Sequence, residues 1–121
     1  GIMNLGLVAA DFPNFQGKAT ELAKLSAQIT EFNNWLSFQS GGRLVANWQF
    51  PNQWLRLPKN AADYGVVGFN PQSHNAINSD IINASDPYIS YANMDELFVY
   101  FPDSLTDSEP NRNPFSSPVL V

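Results

Sequence analysis

The chain has 121 residues, a formal net charge of −5 and no cysteine, and 44% of its residues are hydrophobic. This length and composition predict one globular domain rather than a disordered segment. The six Lys and Arg residues are scattered between Lys18 and Arg112, so there is no basic cluster to bind nucleic acid or an anionic membrane surface. The absence of cysteine excludes a disulfide framework, a thiolate metal site and a cysteine nucleophile.

The first third of the chain predicts a buried strand followed by a long helix. Residues 5–10 are continuously apolar and precede a turn signal at Pro13, which is typical of a strand buried on both faces. Over residues 18–39, apolar side chains recur at spacings of three and four and predict an amphipathic helix that ends at the Gly41-Gly42 pair. Its apolar stripe consists of Leu22, Leu25, Ile29, Phe32 and Leu36. Glu21 falls on the opposite, polar face and is therefore predicted to face solvent.

The rest of the chain predicts shorter elements. In chain order they are a half-buried strand at 43–50, an extended segment at 54–58, a loop at 59–71, a second helix at 73–83 and a strand at 97–101. The second helix has an apolar side formed by Ala76, Ile77, Ile81 and Ile82. Residues 104–118 predict a loop rich in acidic residues and proline, and residues 119–121 predict the start of a further strand.

The alternation of strands and helices predicts an α/β fold for residues 1–121, either as a single domain or as a truncated subdomain with its core in residues 1–103. We expect a three- to four-stranded mixed or mainly parallel sheet. One long amphipathic helix and a shorter second helix would pack on this sheet.

Few residues of this chain are suited to catalysis. His74 is the only histidine and lies in a polar segment, where a surface or helix-capping role is the favoured interpretation. A hydrolytic zinc site takes three protein ligands, and the sequence contains no His-Glu-x-x-His motif. A serine elbow is also absent, and Gly65-Val66-Val67-Gly68 is too short for a phosphate-binding loop. We predict no catalytic, cofactor-binding or metal-binding residue in this chain.

Two aspartates follow strands that we expect to be parallel. Asp11 and Asp103 would lie at the edge of the sheet where α/β folds bind ligands. They could form a carboxylate pair of the glycosidase type, or cap turns beside Pro13 and Pro102. Turn capping is the favoured interpretation.

Other polar and aromatic groups leave similar alternatives open. Asp103, together with Asp107 and Glu109, could bind calcium, but the spacing is not that of an EF-hand and a solvated acidic loop is favoured. Trp48 and Trp54 could form a sugar-stacking face, although a core position is favoured. An N-glycosylation sequon is formed by Asn83-Ala84-Ser85.

Several short segments form one pattern over residues 5–102. They are Asp11-Phe12-Pro13, Ser40-Gly41-Gly42-Arg43-Leu44, Trp54-Leu55-Arg56-Leu57-Pro58, Asp63-Tyr64-Gly65, and Asp86-Pro87-Tyr88 through Met94-Asp95 leading into the strand that ends at Pro102. This order resembles the N-terminal part of secreted zinc metallopeptidases of the immune inhibitor A type. In that family a Ser-Tyr-Gly-Lys/Arg-Leu turn follows the helix, and the His-Glu-x-x-His helix comes later. The Ser40-Gly41-Gly42-Arg43 turn departs from the family in lacking the aromatic residue.

The resemblance implies a zincin-like scaffold whose sheet helps to form the cleft for a peptide or protein substrate. It implies zinc in the parent protein, a metal-binding helix beyond Val121, and secretion or surface display by a bacterium. No catalytic residue carries over, so we expect the chain to be inactive in isolation. The alternative is a stand-alone α/β binding or structural module of unknown ligand. An exposed sheet edge would favour homo-oligomers by edge pairing.

Overall fold

The computed structural model describes residues 1–64 and 71–103, with side chains in the second range described from residue 75 onward. The elements in chain order are strand β1 (Ile2–Asp11), helix α1 (Ala19–Ser40), strands β2 (Val45–Gln49) and β3 (Trp54–Arg56), a 3₁₀ helix (Ala61–Tyr64), helix α2 (Pro71–Ser85) and strand β4 (Glu96–Tyr100). The predicted α/β class is confirmed. The four strands form one sheet, and all three pairings between them are parallel.

β1 is the central strand of this sheet and pairs with each of the others. Gly6 lies between β2 and β4, and Ala9 lies between β3 and β4. A strand has only two edges, so β2 and β3 follow one another along the same edge of β1 while β4 occupies the other. The register shifts by about two residues between β2 and β3. Gly6 pairs with Gln49 and Ala9 with Trp54, so the four residues 50–53 span the same stretch of β1 as Leu7 and Val8.

The two helices cover opposite faces of the sheet. On one face, Leu25 of α1 packs with Leu7 and Ala9 of β1. On the other face, Ile77 and Ile81 of α2 pack in a larger cluster. The β-strand residues of that cluster are Val8, Ala10, Leu55, Leu97 and Val99. Successive side chains of a strand point to opposite faces, which explains why the continuously apolar β1 contributes to both layers.

Both ends of α1 are capped by local interactions. At its start, the carboxylate of Glu21 accepts a hydrogen bond from the N–H of Lys18, with Oε1 3.1 Å from the nitrogen. At its end, Gly41 adopts the left-handed conformation with φ of 63°. The N–H of Gly42 then donates to the carbonyl of Ser37 at 2.8 Å, as in a Schellman motif. The predicted helix of residues 18–39 is therefore confirmed to within one residue at each end.

The predicted loop at residues 59–71 is wrong in two respects. It contains the 3₁₀ helix Ala61–Tyr64, and α2 begins at Pro71, two residues earlier than predicted. Proline suits the first turn of a helix because its missing N–H would have no intrahelical partner there. The helix also continues past the predicted end to Ser85.

Two side chains lie on the opposite side of their helix from the one predicted. Ala76 was predicted to be part of the apolar side of α2 but is exposed. Glu21 was predicted to face solvent but is buried, with 8% of its surface exposed. Helical periodicity accounts for the burial of Glu21, because Glu21 lies four residues before Leu25 and so on the same face of α1 as the apolar stripe. Ala76 directly precedes Ile77 and is turned about 100° from it around the helix axis.

A long loop between α2 and β4 is fixed to the sheet by one side chain of β2. The amide of Gln49 donates to the carbonyl of Ser90 and accepts from the N–H of Ser90, each at 2.8 Å. The side chain thus satisfies both backbone groups of Ser90, as a neighbouring strand would. Within the described residues, no helix is long and apolar enough to cross a membrane.

Candidate functional site

The carboxyl ends of β1 and β3 meet at Asp11 and Arg56, which are partners in the parallel register. Asp11 is fully buried, and its Oδ1 lies 2.7 Å from Nε of Arg56 while its Oδ2 lies 3.2 Å from Nη2. Oδ2 also accepts a hydrogen bond from the N–H of Gly17 at 2.9 Å. The hydrogen bond to Asp11 raises the pKa of the Arg56 guanidinium, which therefore stays charged near neutral pH.

A second carboxylate, that of Glu21, joins the start of α1 to the end of β4. Besides accepting from Lys18, it accepts from the N–H of Asp103 through Oε2 at 2.9 Å. Asp103 in turn accepts a short hydrogen bond from the hydroxyl of Tyr100. Burial raises the pKa of Tyr100, and the hydrogen bond to Asp103 raises it further. The phenol therefore remains a proton donor to Asp103 well above neutral pH.

Aromatic rings close the same end of the sheet on the α2 face. Phe12, which directly follows β1, is fully buried and lies parallel to Phe101, which directly follows β4, with ring centroids 5.5 Å apart. Phe12 also contacts Tyr64 at 5.9 Å. The turn after Phe12 is closed by two backbone hydrogen bonds of 3.1 Å with Phe15. The Asp-Phe-Pro segment thus ends β1 with one buried charge and one buried ring.

Trp54 holds the loop between β1 and α1 against the other face. Its indole N–H donates to the carbonyl of Lys18 at 3.0 Å. The backbone of Gly17 lies against the indole ring so closely that a Cβ atom there would be 1.8 Å from Cε2 of Trp54. Only glycine fits at this position. Trp48 is held similarly, with its indole N–H donating to Oδ1 of Asn33 at 2.9 Å.

These contacts bear on several of the alternatives posed by the sequence. Asp11 and Asp103 do follow neighbouring parallel strands, but each carboxylate is engaged, Asp11 by Arg56 and the Gly17 N–H, and Asp103 by Tyr100. A general base needs an accessible lone pair directed at the substrate, which a fully buried and ion-paired Asp11 lacks. Both indole rings pack against the hydrophobic cluster under α1, consistent with a core position.

The remaining candidate residues are Ser85 at the end of α2, His74, and residues outside the described part of the chain. His74 lies in the first turns of α2, and its side chain is among those not described. Gly65-Val66-Val67-Gly68, Asp107 and Glu109 lie outside the described residues, as does the predicted strand at 119–121. The sequon serine, Ser85, is fully buried at the end of α2, where its hydroxyl donates to the carbonyl of Ile81 at 2.7 Å.

A shallow cavity of about 170 Å³ lies at the opposite end of the sheet, at the start of β4. It is lined by Tyr91, Met94, Asp95, Glu96 and Leu97. Oδ2 of Asp95 accepts from the N–H of Asn4 at 2.8 Å, and Asp95 returns its own N–H to the carbonyl of Asn4 at 2.7 Å. In α/β sheets ligands bind outside the carboxyl ends of the strands, so this cavity is at the less favourable end.

Sequence reasoning did not identify Arg56 or Glu21 as contacts at the carboxyl end of the sheet. Arg56 stands in a short extended segment with an apolar residue on each side, which is a weak signal for a partner of the buried aspartate. Glu21 occupies the third position of α1, where a carboxylate often caps the helix start. Its position in the first turn of α1 was therefore the sequence signal for a capping role.

No protein-family model matches this chain, and no curated protein or solved structure matches it at a significant level. Among the described side chains, those of residues 1–64 and 75–103, no three His, Cys, Asp or Glu residues come together in a group that could hold a metal ion. The described residues form a structural junction at the carboxyl end of the sheet, built from one ion pair, backbone hydrogen bonds and stacked rings.

Proposed function

We propose that the chain is the non-catalytic scaffold portion of an exported zinc-metallopeptidase-like protein, inactive in isolation. Its sheet would help to form the cleft that receives a peptide or protein substrate. The observation that supports this proposal is the convergence of three of the segments that carry the family resemblance. Asp11 of the first segment binds Arg56 of the Trp54–Pro58 segment, and Phe12 stacks on Phe101 just before Pro102.

The state of the carboxylates at this junction favours a scaffold role. A catalytic carboxylate needs access to the substrate, whereas Asp11 and Glu21 are buried and accept hydrogen bonds from neighbouring backbone N–H groups. Such groups fix the relative positions of β1, β4 and α1. A substrate cleft formed by neighbouring segments would need such a rigid floor.

The described residues do not provide a ligand set for zinc. A catalytic zinc site takes three protein ligands and keeps an open position for water, and the described part of this chain has no comparable group of side chains. We therefore derive no catalytic step from these residues. In the proposed parent protein, zinc would be bound by residues outside the described part of the chain.

The decisive experiment begins with the parent reading frame. A His-Glu-x-x-His motif downstream of Val121 and a signal peptide upstream of Gly1 are expected. The longer protein should contain one zinc ion per chain by elemental analysis and should cleave a denatured protein substrate. Replacing the first histidine of that motif with alanine should abolish both zinc binding and cleavage, and the chain of 121 residues alone should cleave nothing.

Three results would contradict the proposal. They are a stop codon directly after Val121, a longer protein without the zinc motif, and peptidase activity of the 121-residue chain alone. The first two would favour the stand-alone binding or structural module. If the isolated chain hydrolysed any substrate, Asp11→Asn and Asp103→Asn would test the carboxylate alternative. Loss of turnover in both variants with retention of the fold would support it.

A further inference from the structure

The outer edge of β2 is open in the described part of the chain. β2 pairs with β1 on one side, and within residues 1–64 and 71–103 no strand pairs with its other side. The N–H of Val45 donates to the carbonyl of Gly1 on the β1 side at 3.0 Å. Because backbone groups alternate in direction along a strand, the N–H and C=O groups of Ala46 and Trp48 point to the open edge.

This edge lacks the features that usually prevent strand pairing. Natural edge strands are protected by charged side chains, proline or bulges, and Val45–Gln49 contains no charged residue and no proline. By contrast, β4 begins at Glu96, directly after Asp95. Val45 exposes 53% of its surface, and its register partner Ile2 exposes 64%. The open edge of β2 is therefore neutral and bordered by exposed apolar side chains.

The absence of charge at this edge permits a second copy of the same chain as its occupant. Each copy has a net charge of −5, so two copies repel one another unless they meet where acidic residues are absent. A two-fold contact through β2 meets this condition, since residues 45–49 are all uncharged. The same surface serves both copies, and such isologous contacts are the commonest in homo-oligomers.

We propose that two copies of the chain pair through β2, antiparallel about a two-fold axis at Asn47. In this register Ala46 of each copy lies opposite Trp48 of the other, and each such pair exchanges both of its N–H···O bonds. The two Asn47 residues face each other at a non-hydrogen-bonded position, where the side chains are closest. Asn47 is exposed in the single chain, so its side chain is free to meet its equivalent. The two four-stranded sheets become one continuous sheet.

Charge substitution at Asn47 tests the proposed register. Sedimentation equilibrium of the unmodified chain should give twice its mass of 13.4 kDa. Asn47→Lys and Asn47→Asp should each raise the dimer dissociation constant about tenfold, because like charges would lie directly opposite one another. An equimolar mixture of the two variants should restore dimers, since opposite charges then meet. A monomeric unmodified chain at millimolar concentration would overturn the proposal, and so would both variants remaining as dimeric as the parent.

A cysteine cross-link gives a second test that does not depend on the strength of association. The chain has no cysteine, so Asn47→Cys introduces a single thiol. Cα atoms of a non-hydrogen-bonded pair lie about 4.5 Å apart, within the range of a disulfide. Mild oxidation should convert Asn47→Cys to a covalent dimer, while Asn34→Cys, on the exposed face of α1, should remain monomeric under denaturing conditions. Equal cross-linking of the two variants would overturn the proposed contact.

Discussion

Asp11 and Arg56 are register partners on parallel strands and are also joined through both oxygens of the carboxylate. The two side chains differ greatly in exposure, since 48% of the Arg56 side chain but only 1% of the Asp11 side chain is accessible. The guanidinium can therefore be hydrated without its partner, whereas the carboxylate depends on the protein for its donors. This asymmetry predicts that removing the Arg56 side chain and removing the Asp11 charge change the stability of the chain by different amounts.

Arg56→Met is expected to destabilise the chain more than Asp11→Asn. This substitution removes both hydrogen bonds from the guanidinium and leaves the buried carboxylate of Asp11 with the hydrogen bond from the Gly17 N–H. A buried charge without a partner of opposite charge is costly. Asp11→Asn removes the charge and keeps an acceptor for Gly17. The double variant should be more stable than Arg56→Met alone, and urea unfolding followed by tryptophan fluorescence measures all three. Additive losses in the double variant would show that the ion pair does not couple the two strands.

Phe12, the largest fully buried side chain among the described residues, stacks on Phe101 at this end of the sheet. Phe12→Ala should lower the free energy of unfolding by about 3–5 kcal/mol, because it leaves a cavity among residues that cannot collapse into it. The matched control is Phe38→Ala on α1, where 82% of the residue is exposed and the change should stay within about 0.5 kcal/mol. Equal effects of the two substitutions would contradict the assigned core.

The sequence predicted the elements whose signals are local. The 3.6-residue periodicity of α1 and its glycine end, and the apolar run of β1, were sufficient to locate both. The pairing of Asp11 with Arg56 was not predictable, because it depends on the register shift that residues 50–53 introduce between β2 and β3. The hydrogen bond from the N–H of Asp103 to Glu21 was not predictable either, since the two residues are far apart in the chain. Long-range contacts of this kind leave no periodic signal.

Gly17 and Gly6 provide a contrast between a rigid and a flexible neighbour. A Cβ at Gly17 would overlap the indole ring of Trp54, which is also held by its hydrogen bond to Lys18. A Cβ at Gly6 would lie 2.7 Å from Cε of Met94, the end of a flexible side chain. Gly17→Ala should therefore cost about 1–3 kcal/mol by overpacking, and Gly6→Ala should cost less. Thermal unfolding followed by circular dichroism measures both variants, and the reverse order of stability would refute this reasoning.

The buried Tyr64 and the half-buried Tyr100 predict how stability depends on alkaline pH. Burial raises the pKa of both Tyr64 and Tyr100, and the hydrogen bonds to Asp80 and Asp103 raise it further. In the unfolded chain these phenols would lose their protons near pH 10, while in the folded chain they keep them. Near and above pH 10 the folded state therefore binds more protons than the unfolded state. These two tyrosines should not change the free energy of unfolding below about pH 9, and that free energy should fall as the pH rises through about 10.

The slope of this decline distinguishes the two tyrosines from the rest of the chain. Each should contribute up to about 1.4 kcal/mol per pH unit between the unfolded and folded pKa values. Tyr64→Phe and Tyr100→Phe should each reduce the slope, and the double variant should reduce it further. Phe38, which is 82% exposed and has no ionisable group, provides the control Phe38→Leu, with an unchanged slope expected. Urea titrations at a series of pH values from 8 upward measure the slope. An identical slope in the double variant and the unmodified chain would show that folding does not raise the pKa of either phenol.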